Sequence, residues 1–587
     1  MKVLFIYPNA QGYSRIPLGL CTIMTVLEES GHEVSLFDTT FMMTDSNGDS
    51  DEREAAGLVK KTETTNFFKK HSLKEIDNLL VKQINDFSPD MVMFSILEDN
   101  YEYSNRLFGV IKSVDDIPIL VGGTTPTVAP QVVVDNPLID WVMRGEAEHS
   151  IRDFCNLWEK GDYEAARDVP GLVWKEEGRK PGEGIHMNPI PKFVDLNELP
   201  FPNYSHWSEG HLIKPYDGKL YRSGYIEMSR GCMFICSYCV NVSYQNIMKD
   251  SGKFFRGKTV DTMIEEAKYL KEKFNLEMFF FCDDNFLSIP NKKLFEFSEK
   301  WQKEIGLPFW INTTVESLKG EDKIIALKES GCAGIGLGIE TGSEQLRKDV
   351  LHKFMSNEKI IKTVHTLNDH GYRTTANIMI GFPGEHVSDV NKTIEFVRDL
   401  QVQSYNMAFV SPYFATPVYS VAKSKGYIDV HKDRPGFNGL ATRIGMRRGL
   451  SIGPPIDIPT MSVEVMNDFY FNFVDYVEGN KRVPEENFYT KEEERAITMD
   501  IVQHYDKEGD LPFKLQREYK DVIGHNLDIE SIEKRKGRIQ YKDKKVRRKN
   551  NPKDVTLSGQ KIGLSYESGM TLKNKKPPSS EAELMGA

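Results

Sequence analysis

Apolar residues along the first 158 positions fall into two alternating spacings. Short apolar runs at 3–7, 34–37, 91–97, 117–121 and 141–143 read as buried strands, and between them 17–30, 73–86 and 103–113 repeat apolar positions at helical intervals. In the first of these helices Leu18, Leu20, Ile23, Met24 and Leu27 recur with that period, and Gly31 stands where a helix closes in left-handed conformation. The alternation predicts an α/β domain over 1–158 with a doubly wound parallel sheet. Such sheets bind ligands beyond the carboxyl ends of their strands. Those ends carry Pro8-Asn9-Ala10, Asp38, Ser95, Gly122-Gly123-Thr124 and Arg144-Gly145-Glu146. Paired glycines let a backbone approach a ligand, but they also make plain turns.

A connector over 159–218 follows, with Trp174 in a short strand-like piece and a Pro- and Gly-rich stretch at 180–202. From 219 to 425 the alternation resumes, with strands expected at 225–229, 278–282, 309–312, 336–340, 374–380 and 405–410. Helices are expected at 260–274, 292–304, 322–330, 357–370 and 386–400. Six such units predict a partial (β/α)6 barrel of the TIM type, with its site at the strands' carboxyl ends. Cys282-Asp283-Asp284-Asn285-Phe286, Gly338-Ile339-Glu340-Thr341-Gly342-Ser343 and Ile380-Gly381-Phe382-Pro383-Gly384-Glu385 fall there. The region 426–532 reads as mainly helical, and 461–476 carries Phe469, Tyr470, Phe471 and Phe473 at helical spacing, a packing surface. Past 533 the chain is basic (Lys544-Lys545, Arg547-Arg548-Lys549) and ends near Pro577-Pro578-Ser579-Ser580, the composition of a disordered tail over 533–587.

Composition narrows the class. A chain of 587 residues should hold two to four domains. Its formal charge of −11 disfavours nucleic acid as a partner. Val3-Leu4-Phe5-Ile6 is too short for a signal-peptide core and is stopped by Pro8, and no apolar run reaches the roughly 20 residues of a membrane span. Seven cysteines, three of them clustered, make no disulfide framework, so a reducing cytoplasm is expected.

The three clustered cysteines carry the chemistry. Ser229-Arg230-Gly231-Cys232-Met233-Phe234-Ile235-Cys236-Ser237-Tyr238-Cys239 spaces them C-x3-C-x2-C directly after an extended run. Thiolates on one tight loop suit zinc or an iron–sulfur cluster. A structural zinc site wants four ligands, usually with a second CxxC or HxxxH, and no such pair is present. Three ligands suit a 4Fe–4S cluster with one iron open to a small molecule. Cys21, Cys282 and Cys332 read as core thiols.

This spacing, with the aromatic Tyr238 before the third cysteine, resembles the signature of the radical S-adenosylmethionine (radical SAM) superfamily. Upstream, Tyr7-Pro8, Pro17-Leu18-Gly19, Gly31-His32-Glu33-Val34, Gly122-Gly123 and Gly145-Glu146-Ala147-Glu148 resemble the cobalamin-binding domain that precedes the radical SAM core in a large subfamily. The alternative for this domain is a flavodoxin-like fold without its ligand. The resemblance to class B radical SAM methyltransferases implies metal ligands Cys232, Cys236 and Cys239. It further implies SAM contacts from Tyr238, Asp283, Asp284, Glu340, Gly381, Gly384 and Glu385, with cobalamin contacts from Asn9, Ser95, Gly122, Gly123, Thr124, Gly145 and Glu146. A ribose wants an acidic acceptor such as Glu340, and an ammonium wants Asp283 or Asp284, although carboxylates and glycines at strand ends also serve as caps and turns.

One departure stands out. The D-x-H-x-x-G stretch that supplies a cobalt ligand is missing, since Asn9-Ala10-Gln11-Gly12 follows the first strand. His32 and His149 read as surface residues at turns, so base-off cobalamin without a protein histidine is expected. The resemblance implies reductive cleavage of SAM to a 5′-deoxyadenosyl radical and methylation of an unactivated carbon of a small molecule through methylcobalamin. A reductase such as flavodoxin or ferredoxin would donate the electron. The alternatives are a cyclase or rearrangement enzyme and, from another class, a non-catalytic zinc or cluster carrier. The substrate should enter between the domains near Ser411-Pro412-Tyr413-Phe414.

Overall fold

Two seven-stranded sheets organise the chain, each built from the strand–helix alternation of its own half. A computed structural model describes residues 1–9, 14–43, 54, 56–58, 67–428, 454–484 and 489–508. The first half contributes β1 (Lys2–Tyr7), β2 (Glu33–Asp38), a two-residue side pair of β3 (Met42–Met43) and β4 (Lys69–Lys70), then β5 (Met91–Ser95), β6 (Ile119–Gly122), β7 (Trp141–Met143), β8 (Leu172–Lys175) and β9 (Ile185–Met187). The large sheet runs β2-β1-β5-β6-β7-β8-β9. Its first five strands are parallel, and the last two pairings, β7 with β8 and β8 with β9, are antiparallel. Among the parallel strands the order reverses between β1 and β5, the arrangement of flavodoxin-like sheets, whose ligands sit at that reversal. Asn9 and Ser95 follow or end those two strands.

The helix Leu18–Glu29 buries Leu18, Leu20, Cys21, Met24 and Leu27, the periodic residues of its sequence apart from Ile23. Gly31 (φ +88°) takes the left-handed turn that ends it. Leu73–Phe87 and Tyr101–Val114 form the other two helices expected here. The strand expected at 91–97 stops at Ser95, because the Leu97 amide is captured by Asn100 Oδ1 (2.8 Å) and the chain turns into a short 3-10 segment, Glu98–Asn100. Leu97 is left 46% exposed. The connector region supplies β8 and β9 to the first sheet, where Trp174 pairs with Trp141 and stacks on His186.

The second half contributes β10 (Ile213–Tyr216), β11 (Lys219–Ile226), a side pair of β12 (Ser229–Arg230) and β13 (Arg256–Gly257), then β14 (Met278–Phe281), β15 (Phe309–Thr313), β16 (Cys332–Glu340), β17 (Arg373–Ile380) and β18 (Ser404–Phe409). The sheet runs β10-β11-β14-β15-β16-β17-β18 in chain order, parallel from β11 onward, so six parallel strands make an open half-barrel. Phe279 and Phe281 point outward into an aromatic cluster with Phe297 and Trp301. On the inner face of β16 glycines give way to β15. A Cβ at Gly334 would stand 2.3 Å from the Trp310 ring, and one at Gly336 would stand 2.3 Å from Asn312 Oδ1.

The helix Val463–Glu478 buries Phe469, Tyr470 and Phe473 and stacks Tyr470 on Phe409 of β18. Lys491–Glu508 forms a second C-terminal helix. The basic stretch at 533–587 lies outside the described residues. Among the described residues no helix is long and apolar enough to cross a membrane.

Candidate active site

The cysteine loop is pinned from both ends. Gly231 (φ +85°) begins it, and a Cβ there would stand 2.5 Å from the Phe254 carbonyl, so only glycine fits. Gln245, on the helix Val240–Ile247 that starts after Cys239, reaches back to donate to the carbonyls of Cys232 (3.0 Å) and Phe234 (3.2 Å). Ser237 is buried, donating its hydroxyl to Val350 O (2.6 Å) and its amide to Leu351 O (3.2 Å). Between these anchors Cys232, Cys236 and Cys239 are free and half-buried. Among the described residues no three His, Cys, Asp or Glu side chains close on one point as the ligands of a single ion do. A 4Fe–4S cluster takes one thiolate per iron, so three separate thiols on one rigid loop fit it.

Tyr238 ties this loop to the barrel. Its hydroxyl hydrogen-bonds Glu340, and its ring meets Phe382 edge-on at 5.7 Å. Glu340 ends β16 with φ +67°, a left-handed conformation that costs a non-glycine residue, at a break in strand register. Its carboxylate pairs with Lys353 (3.0 Å), a buried lysine that sequence reasoning missed and that also donates to Gly338 O (2.7 Å). Tyr238, Glu340 and the Gly381 loop are therefore brought together.

Other carboxylates at these ends are already engaged by the chain. Asp283 is buried, accepting from the Met228 amide (3.0 Å) and the Ser229 hydroxyl (2.5 Å), and burial pushes its pKa up to about 7. It braces the entry to the cysteine loop. Glu385 accepts from the amides of Gly381 (2.6 Å) and Phe382 (3.1 Å) and closes the Gly-Phe-Pro-Gly turn on itself. A Cβ at Gly384 would meet Ile501 and Thr498 of the last helix, so this glycine faces protein. Asp284 is the exposed member of the pair, beside the Asn241 amide.

The carboxyl edge of the first sheet faces this loop. Gly123 (φ +107°) is required there, since a Cβ would stand 2.7 Å from the Ile96 carbonyl. It opens onto Thr124, whose side chain hydrogen-bonds the hydroxyl of Tyr244 on the helix after Cys239. Asn9, Ser95, Gly122, Gly123 and Thr124 lie on this one edge. Gly145 and Glu146 are used differently. A Cβ at Gly145 would press on Ile190 of the connector at 2.7 Å, and Glu146 is bonded to Arg256 and lies 3.6 Å from Arg230. Arg230 also takes Glu148 (2.6 Å) and Glu227 (2.7 Å), an inter-domain network that the sequence does not announce.

His32 corrects the sequence reading. It is buried, not on the surface, and bonds Asn156 (3.1 Å) and the terminal amine (3.2 Å). It precedes β2, on the edge opposite the candidate site. His149 is half-buried.

The sheets also meet through the turn after β5. Tyr413 donates its hydroxyl to Asp99 (2.9 Å), and the Phe414 amide donates to Glu98 (2.9 Å). Glu98 is 3% exposed, and burial, opposed by the Phe414 amide and aided by Asp99, pushes its pKa up to about 8. A carboxyl raised in the folded state adds stability that is full below the ordinary carboxylate range and is lost as pH rises to about 8. Glu98→Gln keeps an acceptor for Phe414 and removes the titration. Its thermal midpoint should therefore fall less than that of the unmodified protein between about pH 5 and 8, and equal slopes would show that Glu98 does not titrate in this window.

Residues 226–397 match the radical SAM superfamily, and residues 73–154 match the B12 binding domain. Domains of these two families imply an iron–sulfur cluster, SAM and cobalamin. The chain is 27% identical over 368 residues to an uncharacterized methyltransferase of Pyrococcus horikoshii, covering 60% of this chain and 75% of that one. It is 22% identical over 477 residues to the cytidylyl-2-hydroxyethylphosphonate methyltransferase of Streptomyces wedmorensis, covering 73% and 83%. The radical SAM methyltransferase TsrM from Kitasatospora setae, solved with cobalamin and a 4Fe–4S cluster bound, superposes with a TM-score of 0.54 over 93% of this chain and 99% of its own, at 15% identity. At that identity the likeness speaks for the fold.

Proposed function

We propose that this chain is a cobalamin-dependent radical SAM C-methyltransferase acting on a small molecule. One observation carries the reading. The carboxyl edges of the two sheets face each other and are bonded together, through Tyr244 to Thr124 and through 413–414 to 98–99. Methyl transfer gives both facing sites a role, and two relatives are named as methyltransferases.

Cys232, Cys236 and Cys239 would hold a 4Fe–4S cluster. Asn9, Ser95, Gly122, Gly123 and Thr124 would border base-off cobalamin, and Asp284, Tyr238, Glu340 and the backbone at Gly381 would hold SAM. When bound, these groups supply a 5′-deoxyadenosyl radical and a transferable methyl group. The chain's own work is positioning. Glu340 offers an acceptor whose orientation Lys353 and Tyr238 fix, Asp284 offers a carboxylate at the mouth, and Asp283, Glu385 and Glu146 hold the loops that carry them. A flavodoxin or ferredoxin would supply the electron, in a reducing cytoplasm that keeps the seven cysteines free.

The reconstituted protein, given reductant, SAM and candidate substrates, should form S-adenosylhomocysteine and 5′-deoxyadenosine together, with a methylated product. Substrate-dependent 5′-deoxyadenosine with no methylated product would favour ring formation or rearrangement instead. Cob(II)alamin bound to the protein should give an electron paramagnetic resonance spectrum without nitrogen splitting from a lower ligand. A single-nitrogen splitting would mean a coordinated histidine or the cofactor's own base.

Glu340→Gln should leave the cluster intact and weaken SAM binding by about tenfold, the scale of one lost hydrogen bond to a charged acceptor. Unchanged affinity by equilibrium dialysis would remove Glu340 from the SAM site.

A further inference from the structure

Two cations converge on the inner face of the half-barrel, around Tyr225, and are unused by the reading above. Lys214 lies on β10, opposite Tyr221 of β11. Its ammonium stands 5.6 Å from the centre of the Tyr225 ring. The Arg15 guanidinium, from the loop that follows β1 in the first sheet, stands 6.0 Å from the same ring. The two loops are bonded into one unit, because Lys214 donates to Ser14 Oγ (2.8 Å) and the Tyr225 hydroxyl donates to Ser14 O (3.1 Å). Tyr225 is on the face of β11 that meets Phe280 of β14, the inner face, since Phe279 and Phe281 point out.

Among the described residues neither cation pairs with a carboxylate. Two acidic groups of the neighbouring segments are engaged elsewhere, Asp38 with His211 (2.7 Å) and Asp217 with Arg373 (3.0 Å). Burial first, then the charge of Arg15, pulls the Lys214 pKa down to about 7. Arg15 is exposed and Lys214 half-buried, so an anion can reach both from solvent, and a guanidinium beside an ammonium suits a group with several oxygens.

We propose that Arg15 and Lys214 form an oxyanion subsite that takes a carboxylate, phosphate or phosphonate group of the substrate. This rests on the reading of the half-barrel as the substrate's chamber. The site joins the carboxyl edge of one sheet to the inner face of the other, so a substrate anchored there would span the space between them. Cobalamin's own phosphodiester is the other source of the same chemistry.

The test uses the full chain loaded with cluster and cobalamin, titrated with inorganic phosphate and with methylphosphonate against chloride at equal ionic strength. Thermal unfolding should show a saturable rise in midpoint. Lys214→Met and Arg15→Gln should each weaken the apparent affinity by about tenfold or more. Lys214→Arg should retain the response, which separates loss of charge from loss of fold, and Lys219→Met, an exposed lysine on β11, should leave it unchanged.

No saturable response, or one that survives Lys214→Met and Arg15→Gln combined, overturns the proposal. Loading with cobinamide, which lacks the nucleotide tail, identifies the source. A response seen with cobinamide but lost with cobalamin would assign the subsite to the cofactor and overturn the substrate assignment. 5′-Deoxyadenosine release, assayed on the same preparations, reports separately on the radical SAM reading. Its absence beside intact anion binding would count against that reading and leave the subsite standing.

Discussion

Cys232→Ala, Cys236→Ala and Cys239→Ala, each reconstituted anaerobically with iron and sulfide, will lack the broad visible absorbance of an iron–sulfur cluster and release no 5′-deoxyadenosine from SAM. Each thiol sits on a loop whose backbone is fixed by Gly231, Gln245 and Ser237, so no neighbouring donor can swing in to replace it. The other four cysteines belong elsewhere. Cys21, Cys155 and Cys332 are buried in the core, and Cys282 is half-buried beyond β14. Cys282→Ala and Cys332→Ala should therefore keep the cluster, which makes them the controls for handling losses. Iron and zinc counts on the unmodified chain check the same point, at about four iron per chain for the cluster and one zinc for a carrier. A full cluster in all three variants would remove the basis of the functional reading.

How much of this was legible in the sequence depends on the range of the interaction concerned. Helices such as Val260–Phe274 and strands such as Trp141–Met143 were placed to the residue, because their apolar period and caps are local. The C-x3-C-x2-C loop was equally plain. What the sequence hid were partners separated by long stretches of chain. Asp283 reads as a free carboxylate at a strand end, yet Met228 and Ser229, more than fifty residues earlier, already occupy it. Glu146 belongs to a glycine-bearing strand end of the expected kind, but its charge is taken by Arg256. Lys353 sits in no motif and becomes visible only when β16 brings Glu340 to it. His32 looks like a turn residue because its neighbours are polar, while the chain terminus and Asn156 close over it. Acidic residues at strand ends thus divide into those that the fold consumes and those that it leaves open, and only the contacts tell them apart.

Arg230→Ala should be the most damaging substitution outside the cysteines, and its damage should fall on the joint between the two domains. Arg230 holds Glu148 and Glu227 directly and lies 3.6 Å from Glu146. Glu148 is 3% exposed, so water cannot replace the lost partner. Removing one member of a buried ion pair costs about 3–5 kcal/mol, far above the value of an exposed pair. Arg230→Lys should recover only part of this, since an ammonium cannot reproduce the guanidinium fork. Glu148→Gln should cost less than Arg230→Ala, and the double variant less than the sum, because the uncompensated carboxylate is then gone. The sign with pH follows from Glu227. Burial alone would raise its pKa, but Arg230 and Lys258 more than reverse this and hold it below the usual range. In the native chain that stabilisation is present above the ordinary carboxylate pKa and is lost only as pH falls through the depressed value. Without Arg230 the buried Glu227 loses its main charge partner and takes up a proton more readily, so the stability gap between variant and native protein should narrow from about pH 8 to pH 5. Urea unfolding of the apoprotein at both pH values measures it. A variant within about 1 kcal/mol of the native protein at pH 8 would mean that the network contributes no more than exposed ion pairs do and that the two domains are held by their other contacts, Tyr413 to Asp99 and Tyr244 to Thr124 among them.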